Sequence, residues 1–241
     1  MEYSYITDIG LVRNKNQDAY LVIKNKHGDL LAIVADGIGG GKAGEVASYE
    51  TVKYFENTFK ESGPFEKIDD ALDYFKYHTV KVNSEVNYIS TTNPNYSGMG
   101  TTLSGIFISK VGCICINCGD SRVYGFIDNK IIQLTTDHTL VNQMLEKGQI
   151  TYEQSLNHPQ KHYLVRAIGI FDSVSFDINK VKDMDYYLVC SDGLHGYLDD
   201  EKIKEIVLND ELSIENKTIT LKDAALLQGG YDNVTIILIK R

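Results

Sequence analysis

The sequence predicts an α+β sandwich, in which antiparallel strands build sheets and helices cover them. Two patterns carry that expectation. Short runs of β-branched and apolar residues recur along the chain, several joined by tight turns, as at residues 25–28 and 128–130. Between them lie segments with apolar residues at helical spacing, two of them long and adjacent in the first half of the chain. With 241 residues, 43% of them hydrophobic, the chain can bury a sizeable core, so residues 1–241 are expected to form a single domain.

Taken in order, residues 3–9, 19–26 and 30–35 are apolar and β-branched enough to be strands, and the periodicity of 44–60 and 69–90 predicts two helices. A run of strands follows at 101–108, 111–117, 122–127 and 130–134, then a helix at 139–147. The segment 148–161 has no periodicity and is expected to be a loop that governs substrate access. Strands at 175–181, 186–190 and 233–240 and helices at 200–209 and 219–227 complete the chain, with no internal repeat.

Composition removes several function classes. The net charge of -9 argues against a nucleic-acid binder, whose affinity comes mainly from Lys and Arg neutralising phosphates. No stretch approaches the roughly 20 apolar residues of a bilayer span, and residues 1–15 lack the pattern of a leader. A cytoplasmic protein is expected, with no membrane partner. Four cysteines are too few for a disulfide scaffold. Three of them, Cys113, Cys115 and Cys118 in VGCICINCGD, invite a zinc reading, but strand alternation puts only Cys113 and Cys115 on one face, and no suitable fourth ligand lies nearby.

The informative pattern is acidic. Single aspartates recur where a strand gives way to glycine or a turn: Asp36 before Gly37, Asp120 after CINCG, Asp192 before Gly193, and Asp232 in GGYDN. Each alone is explained as a turn former that bonds its own backbone. Together they imply more. A strand ending at a sheet edge delivers its terminal side chain to a fixed point, and glycine permits close approach. If those ends meet, several carboxylates crowd one cleft, and like charges so close call for cations between them. Oxygen ligands without Cys or His select Mg²⁺ or Mn²⁺ rather than zinc. Arg13, in LVRNKNQD, is an ordinary surface arginine by itself; beside such a cluster its guanidinium suits a phosphate.

The runs DIGLVRNKNQD, VADGIGGGKAGEVAS, SGMGTTLSGIFI, NCGDSRVYGF, LTTDHTLV, HYLVRAIG, YYLVCSDGL and GGYDNVTIILI, in that order, resemble the metal-dependent protein phosphatases of the PPM family, also called type 2C, in their bacterial form. The resemblance covers almost the whole chain. It implies a four-layer αββα sandwich, two stacked antiparallel sheets flanked by helix pairs. It also implies roles: Asp36 bridges two Mn²⁺ or Mg²⁺ ions, the Gly37 carbonyl binds one of them, and Asp192 and Asp232 complete the site. Asp120 matches the carboxylate that helps hold a third, weaker ion beside Asp192. Arg13 matches the phosphate-binding arginine and Asp18 the carboxylate near the bridging water, so Arg13, Asp18 and Asp36 are the expected catalytic set.

Two positions depart from the eukaryotic pattern. Ile38 stands where DGHGG carries the histidine proposed to protonate the leaving group, and a metal-bound water is expected to serve instead. Gln17 replaces a glutamate, which implies an outer-shell contact through water. The activity implied is hydrolysis of phosphoserine and phosphothreonine on proteins by a water shared between two ions about 3.5 to 4 Å apart. The implied partners are phosphoprotein substrates and a cognate serine/threonine kinase, with the enzyme a monomer.

Rival readings fit less well. IGGGKAGE lacks the first glycine and the final Ser or Thr of a P-loop, having Asp36 and Ala43 there, and its glycines are expected to turn the chain from strand to helix with Glu45 in the first helical turn. No cysteine has an arginine six residues later, as the commonest thiol phosphatases require. A catalytically silent phosphoprotein-binding module is disfavoured by the intact aspartates. His138 and His162 are expected to bond backbone or pack near the loop rather than donate a proton.

Overall fold

A computed structural model describes residues 1–38 and 43–241. The glycine-rich run at 39–42, expected to turn the chain from strand to helix, lies outside the described residues. In chain order the first strands are β1 (Glu2–Asp8), β2 (Asp18–Lys24) and β3 (Leu30–Ile38), followed by helices α1 (Gly44–Lys60) and α2 (Ile68–Thr92). A short β4 (Gly100–Thr101) precedes β5 (Leu103–Ser109), β6 (Gly112–Cys118), β7 (Arg122–Ile127) and β8 (Lys130–Gln133). The rest comprises α3 (Leu140–Glu146), α4 (Tyr152–Leu156), β9 (Asp177–Val181), β10 (Tyr186–Cys190), α5 (Asp192–His195), α6 (Asp200–Val207), α7 (Ile214–Leu227) and β11 (Val234–Lys240).

Every strand pairing is antiparallel. One sheet has the order β1-β11-β10-β7-β8 and the other β2-β3-β5-β6-β9, with β4 paired to the end of β3. Period-two alternation stacks them. Leu30, Ala32 and Val34 of β3 meet Tyr187, Val189, Ile237 and Ile239 between the sheets. Leu31 and Ile33 point the other way, toward Phe55 and Phe59 of α1 and Phe75 and Val82 of α2. On the opposite outer face Leu188, Ile236 and Leu238 pack against Ile203 of α6 and Leu221 of α7. Both faces of both sheets are therefore covered, which is why these strands read as continuous apolar runs. The result is the four-layer αββα arrangement.

Several elements differ from the sequence expectation, among them the strand expected at 101–108, which is split into β4 and β5. The expected loop 148–161 contains α4, whose Thr151 and Gln154 form a capping box. Helix α7 begins at Ile214, where the Ser213 hydroxyl accepts from the Asn216 N–H; Thr218 and Thr220, weak helix formers, obscured that turn. The single turn α5 was not expected, because four residues are too few to show periodicity. Cys113 and Cys115 face the inter-sheet core while Cys118 lies in the outer core beneath α1 and α2, so the three thiols do not converge. Among the described residues no helix is long and apolar enough to cross a membrane.

Candidate metal centre

Antiparallel pairing brings the end of each strand beside the start of its neighbour. The C-terminal ends of β3, β6 and β10 and the N-terminal ends of β2, β7 and β11 thus share one edge of the sandwich. Asp36 and Gly37 end β3, Asp120 lies in the β6–β7 turn, Asp192 opens α5 directly after β10, and Asp232 precedes β11. A cleft of about 570 Å³ opens there, lined by Arg13, Gln17, Asp36, Gly37, Ile38, Asp120, Asp192 and Asp232 among others. Asp18 does not line it. Paired with Asp36 in the β2–β3 ladder, Asp18 stands behind, its Oδ2 accepting from the Ser191 hydroxyl at 2.8 Å.

The backbone around Asp36 is held on both sides. Its N–H donates to Thr102 Oγ1 at 2.9 Å, and its carbonyl accepts from the Thr102 N–H and the Thr101 hydroxyl, both at 2.8 Å. The Gly37 N–H donates to the Gln17 carbonyl at 3.1 Å. A side chain at Gly37 would collide with the Gly44 carbonyl, so α1 comes this close only because the residue is glycine. Gly193 is the same case, since a Cβ there would strike the Asn233 carbonyl and push α5 off β11.

The electrostatics are those of carboxylates gathered against their charge. Burial lifts the Asp36 carboxyl well above the ordinary range, and Asp18, Asp192, Asp120 and Asp232 add to it. Burial and then Asp192 raise Asp120 in the same way. Asp192 is raised by burial and by Asp232, partly offset by His162. Asp18 is lifted by burial to about 7, against hydroxyl hydrogen bonds that pull it down. Each of these groups would be relieved by a nearby cation.

Arg13 reaches the same place from the β1–β2 loop. Its Nη2 donates to Asp232 Oδ2 at 2.7 Å and its Nε to the Tyr231 carbonyl at 3.2 Å, with 51% of the side chain exposed. Asn233, which the sequence reading passed over, anchors that loop. Its side chain donates to the carbonyls of Ile9 and Lys15 and accepts from the Gln17 N–H at 2.8 Å. Its position directly after Asp232 was the available signal. Gln17 in turn donates to Glu45, which sits in the first turn of α1 as expected and is held down to about 2 by Lys15 and Gln17.

Two histidines bracket the Asp120 turn. His138 Nδ1 accepts from the Gly119 N–H at 3.1 Å and its own N–H donates to the Gly119 carbonyl at 2.9 Å. An accepting Nδ1 fixes the proton on Nε2, which donates to Asp177 at 3.0 Å; the equally close Arg166 Nη1 therefore serves Asp177 rather than the ring. That agrees with the expectation that His138 bonds backbone. His195, not singled out in the sequence, donates from Nε2 to the Asp120 carbonyl at 3.0 Å, and burial keeps it neutral, with a pKa of about 3. His162 lies beside the 148–161 segment, as expected, and also lines the cleft, Nδ1 3.9 Å from Asp192 Oδ2.

The chemistry of this donor set suits a divalent cation. Asp192 Oδ1 is buried with no hydrogen-bond partner, as is Asp18 Oδ1 behind the cleft, and apart from the His162 ring the side-chain acceptors that line the cleft are oxygen. Among the described residues, however, no three such side chains close into a ready-made cage. Asp232 bonds Arg13 and Asp18 bonds Ser191, while Asp36, Asp120 and Asp192 stand near enough that Asp192 raises the other two. Like charges spread onto the nearest donors.

Comparison with known proteins places the chain. The family model for protein phosphatase 2C matches residues 12–224. The serine/threonine phosphatase stp of Listeria welshimeri is 34% identical over 243 residues, covering 100% of this chain and 96% of the relative. The protein phosphatase PhpP of Streptococcus pneumoniae is 34% identical over 241 residues, covering 99% and 97%. Among solved structures, the serine/threonine phosphatase Stp1 of Staphylococcus aureus superposes with a TM-score of 0.94 at 33% identity, over 100% of this chain and 94% of that one. The phosphatase PstP/Ppp of Mycobacterium tuberculosis gives 0.86 at 31%, over 98% and 97%. The chain belongs to the protein phosphatase 2C family of metal-dependent serine/threonine phosphatases, in its bacterial form.

Proposed function

We propose that this cleft hydrolyses phosphoserine and phosphothreonine on proteins with a pair of Mn²⁺ or Mg²⁺ ions, and that residues 1–241 act as one monomeric catalytic domain opposing a serine/threonine kinase. The observation that carries the reading is the meeting of Asp36, Asp120, Asp192, Asp232 and Arg13 in one cleft, with a buried oxygen of Asp192 left unpartnered. Asp36, the Gly37 carbonyl, Asp192 and Asp232 would hold the two ions, and Asp120 with Asp192 a third. When bound, such ions supply the acidity that makes water a nucleophile near neutral pH and offset charge on the phosphoryl oxygens.

The chain's own residues do the rest. Arg13 has Nε and Nη2 committed to Tyr231 and Asp232, which fixes the plane of its guanidinium and leaves Nη1 for a phosphoryl oxygen. Its charge acts most on the transition state, where negative charge spreads over the equatorial oxygens. Asp18 supports Asp36 from behind and takes the hydroxyl of Ser191. Gln17 lines the cleft wall, its amide held by Glu45, and would contact the ions only through water. Ile38 lines the cleft without a proton to give, so the leaving oxygen takes its proton from water. Phosphate release from a phosphothreonine peptide, compared in EDTA, Mg²⁺ and Mn²⁺, tests the reading. Release dependent on either ion is expected, and equal release in EDTA would overturn it.

A further inference from the structure

Beside the cleft lies a second cavity of about 320 Å³, and the two share Asp120, Asp192 and His162 in their walls. The outer wall of this second cavity is apolar. Val141 and Leu145 stand four residues apart on α3, and Tyr152 and Leu156 four apart on α4, so each pair forms one helix face; all four line the cavity. Val141 is buried, but Tyr152 and Leu156 remain 65% and 51% exposed. A capping box holds α4 in place, so their exposure is a property of an ordered turn rather than of a frayed end.

Large apolar side chains open to water at the rim of a catalytic site mark a contact surface. Continuity with the cleft decides what the contact is. A phosphorylated side chain that enters between Arg13 and Asp192 brings its own neighbouring residues past this wall. The charge of the cavity selects among them. Arg122, the arginine in its wall, is already bound two-pronged to Asp137, with Nη2 2.6 Å from Oδ2. It offers nothing to an acidic side chain; the exposed Lys161 also lines the wall, but Asp120 and Asp192 would repel such a side chain, and the four apolar residues give a large apolar one the most contact.

We propose that Val141, Leu145, Tyr152 and Leu156 form a subsite for a large apolar side chain, such as leucine or phenylalanine, close in sequence to the phosphorylated residue. The inference rests on the phosphatase reading and names its substrate class: phosphoserine and phosphothreonine segments with an apolar neighbour. Tyr152 and Leu156 are specificity-determining residues that touch the flank of the substrate and not the phosphate.

The test is a set of phosphothreonine peptides of one backbone in which leucine, serine or glutamate is moved through the three positions on either side of the phosphothreonine. Their kcat/KM values are compared, with Mn²⁺, on the full chain and on the Tyr152→Ser/Leu156→Ser double variant. At one position leucine is expected to raise kcat/KM about tenfold over serine. In the double variant that ratio should shrink to about twofold or less. A ratio between peptides is unaffected by any loss of folded enzyme. Equal hydrolysis of all peptides, or a leucine preference that survives in the double variant, overturns the subsite while leaving the phosphatase reading intact. Failure to hydrolyse any peptide overturns that reading and the subsite with it.

Discussion

Asp18 sits opposite Asp36 in the β2–β3 ladder, and burial lifts its carboxyl to about 7. The folded protein therefore binds that proton more tightly than the unfolded chain does. The stability contributed is complete below the unfolded value of 3.8 and is lost as pH rises toward 7. Asp18→Asn removes the titration while keeping an acceptor for Ser191. In EDTA its melting temperature should exceed that of the wild type by about 3 °C or more near pH 8 and match it near pH 4; an equal loss at both pH values would count against the shift. Asp36→Asn removes a full charge from the cation site, and at limiting Mn²⁺ its turnover of a phosphothreonine peptide should fall about a thousandfold with the fold retained. Near-normal turnover would refute the role given to Asp36. Arg13 is exposed and tied to Asp232, so Arg13→Ala should act first on phosphate binding, with KM up about tenfold and kcat changed less. An unchanged KM would contradict it. At this scale much was legible: the aspartates stood out because each borders a strong strand and a turn, Asp36, Asp120 and Asp192 after one and Asp232 before one. Asn233 and His195 did not stand out, because their work is hydrogen bonding to backbone carbonyls, which leaves no pattern of charge or spacing in a single sequence.

Helix α5 ties two parts of the site together in one turn. Asp192 opens it beside the cleft, and His195, three residues on, holds the carbonyl of Asp120. The turn fits against β11 only because Gly193 has no side chain to meet the Asn233 carbonyl. Gly193→Ala is expected to destabilise the protein by about 1 to 3 kcal/mol in urea unfolding, the usual result of overpacking, and to weaken Mn²⁺ binding as α5 shifts. Wild-type values of both would show that the contact is not needed. The elements found from sequence alone were those long enough to display a period: the buried strands, α1 and α2. Short ones escaped. A turn of four residues has no period, and α4 is recognised by its capping box rather than by its apolar face. Helix α7 escaped in part because threonines within it lower helix propensity, although Ile214, Thr218, Leu221 and Ala225 keep the buried spacing.

Over the whole molecule, two sheets of alternating side chains build a central core and two outer ones, and antiparallel connection leaves the acidic strand ends together at one edge. That edge gathers like charge in a chain already carrying -9, so cation binding should stabilise the fold as well as activate it. Mn²⁺ at about a hundred times its dissociation constant should raise the melting temperature by about 5 to 10 °C over the EDTA form. No shift would mean that the folded state has no preference for the ion. The decisive observation is anomalous diffraction at the manganese edge from crystals soaked in Mn²⁺. Two peaks are expected, each within bonding reach of Asp36, with the Gly37 carbonyl, Asp192 and Asp232 completing their surroundings. A map with no peak at that edge of the sandwich, the aspartates still spread onto Arg13 and Ser191, would contradict the assignment of this cleft as a metal-dependent catalytic centre.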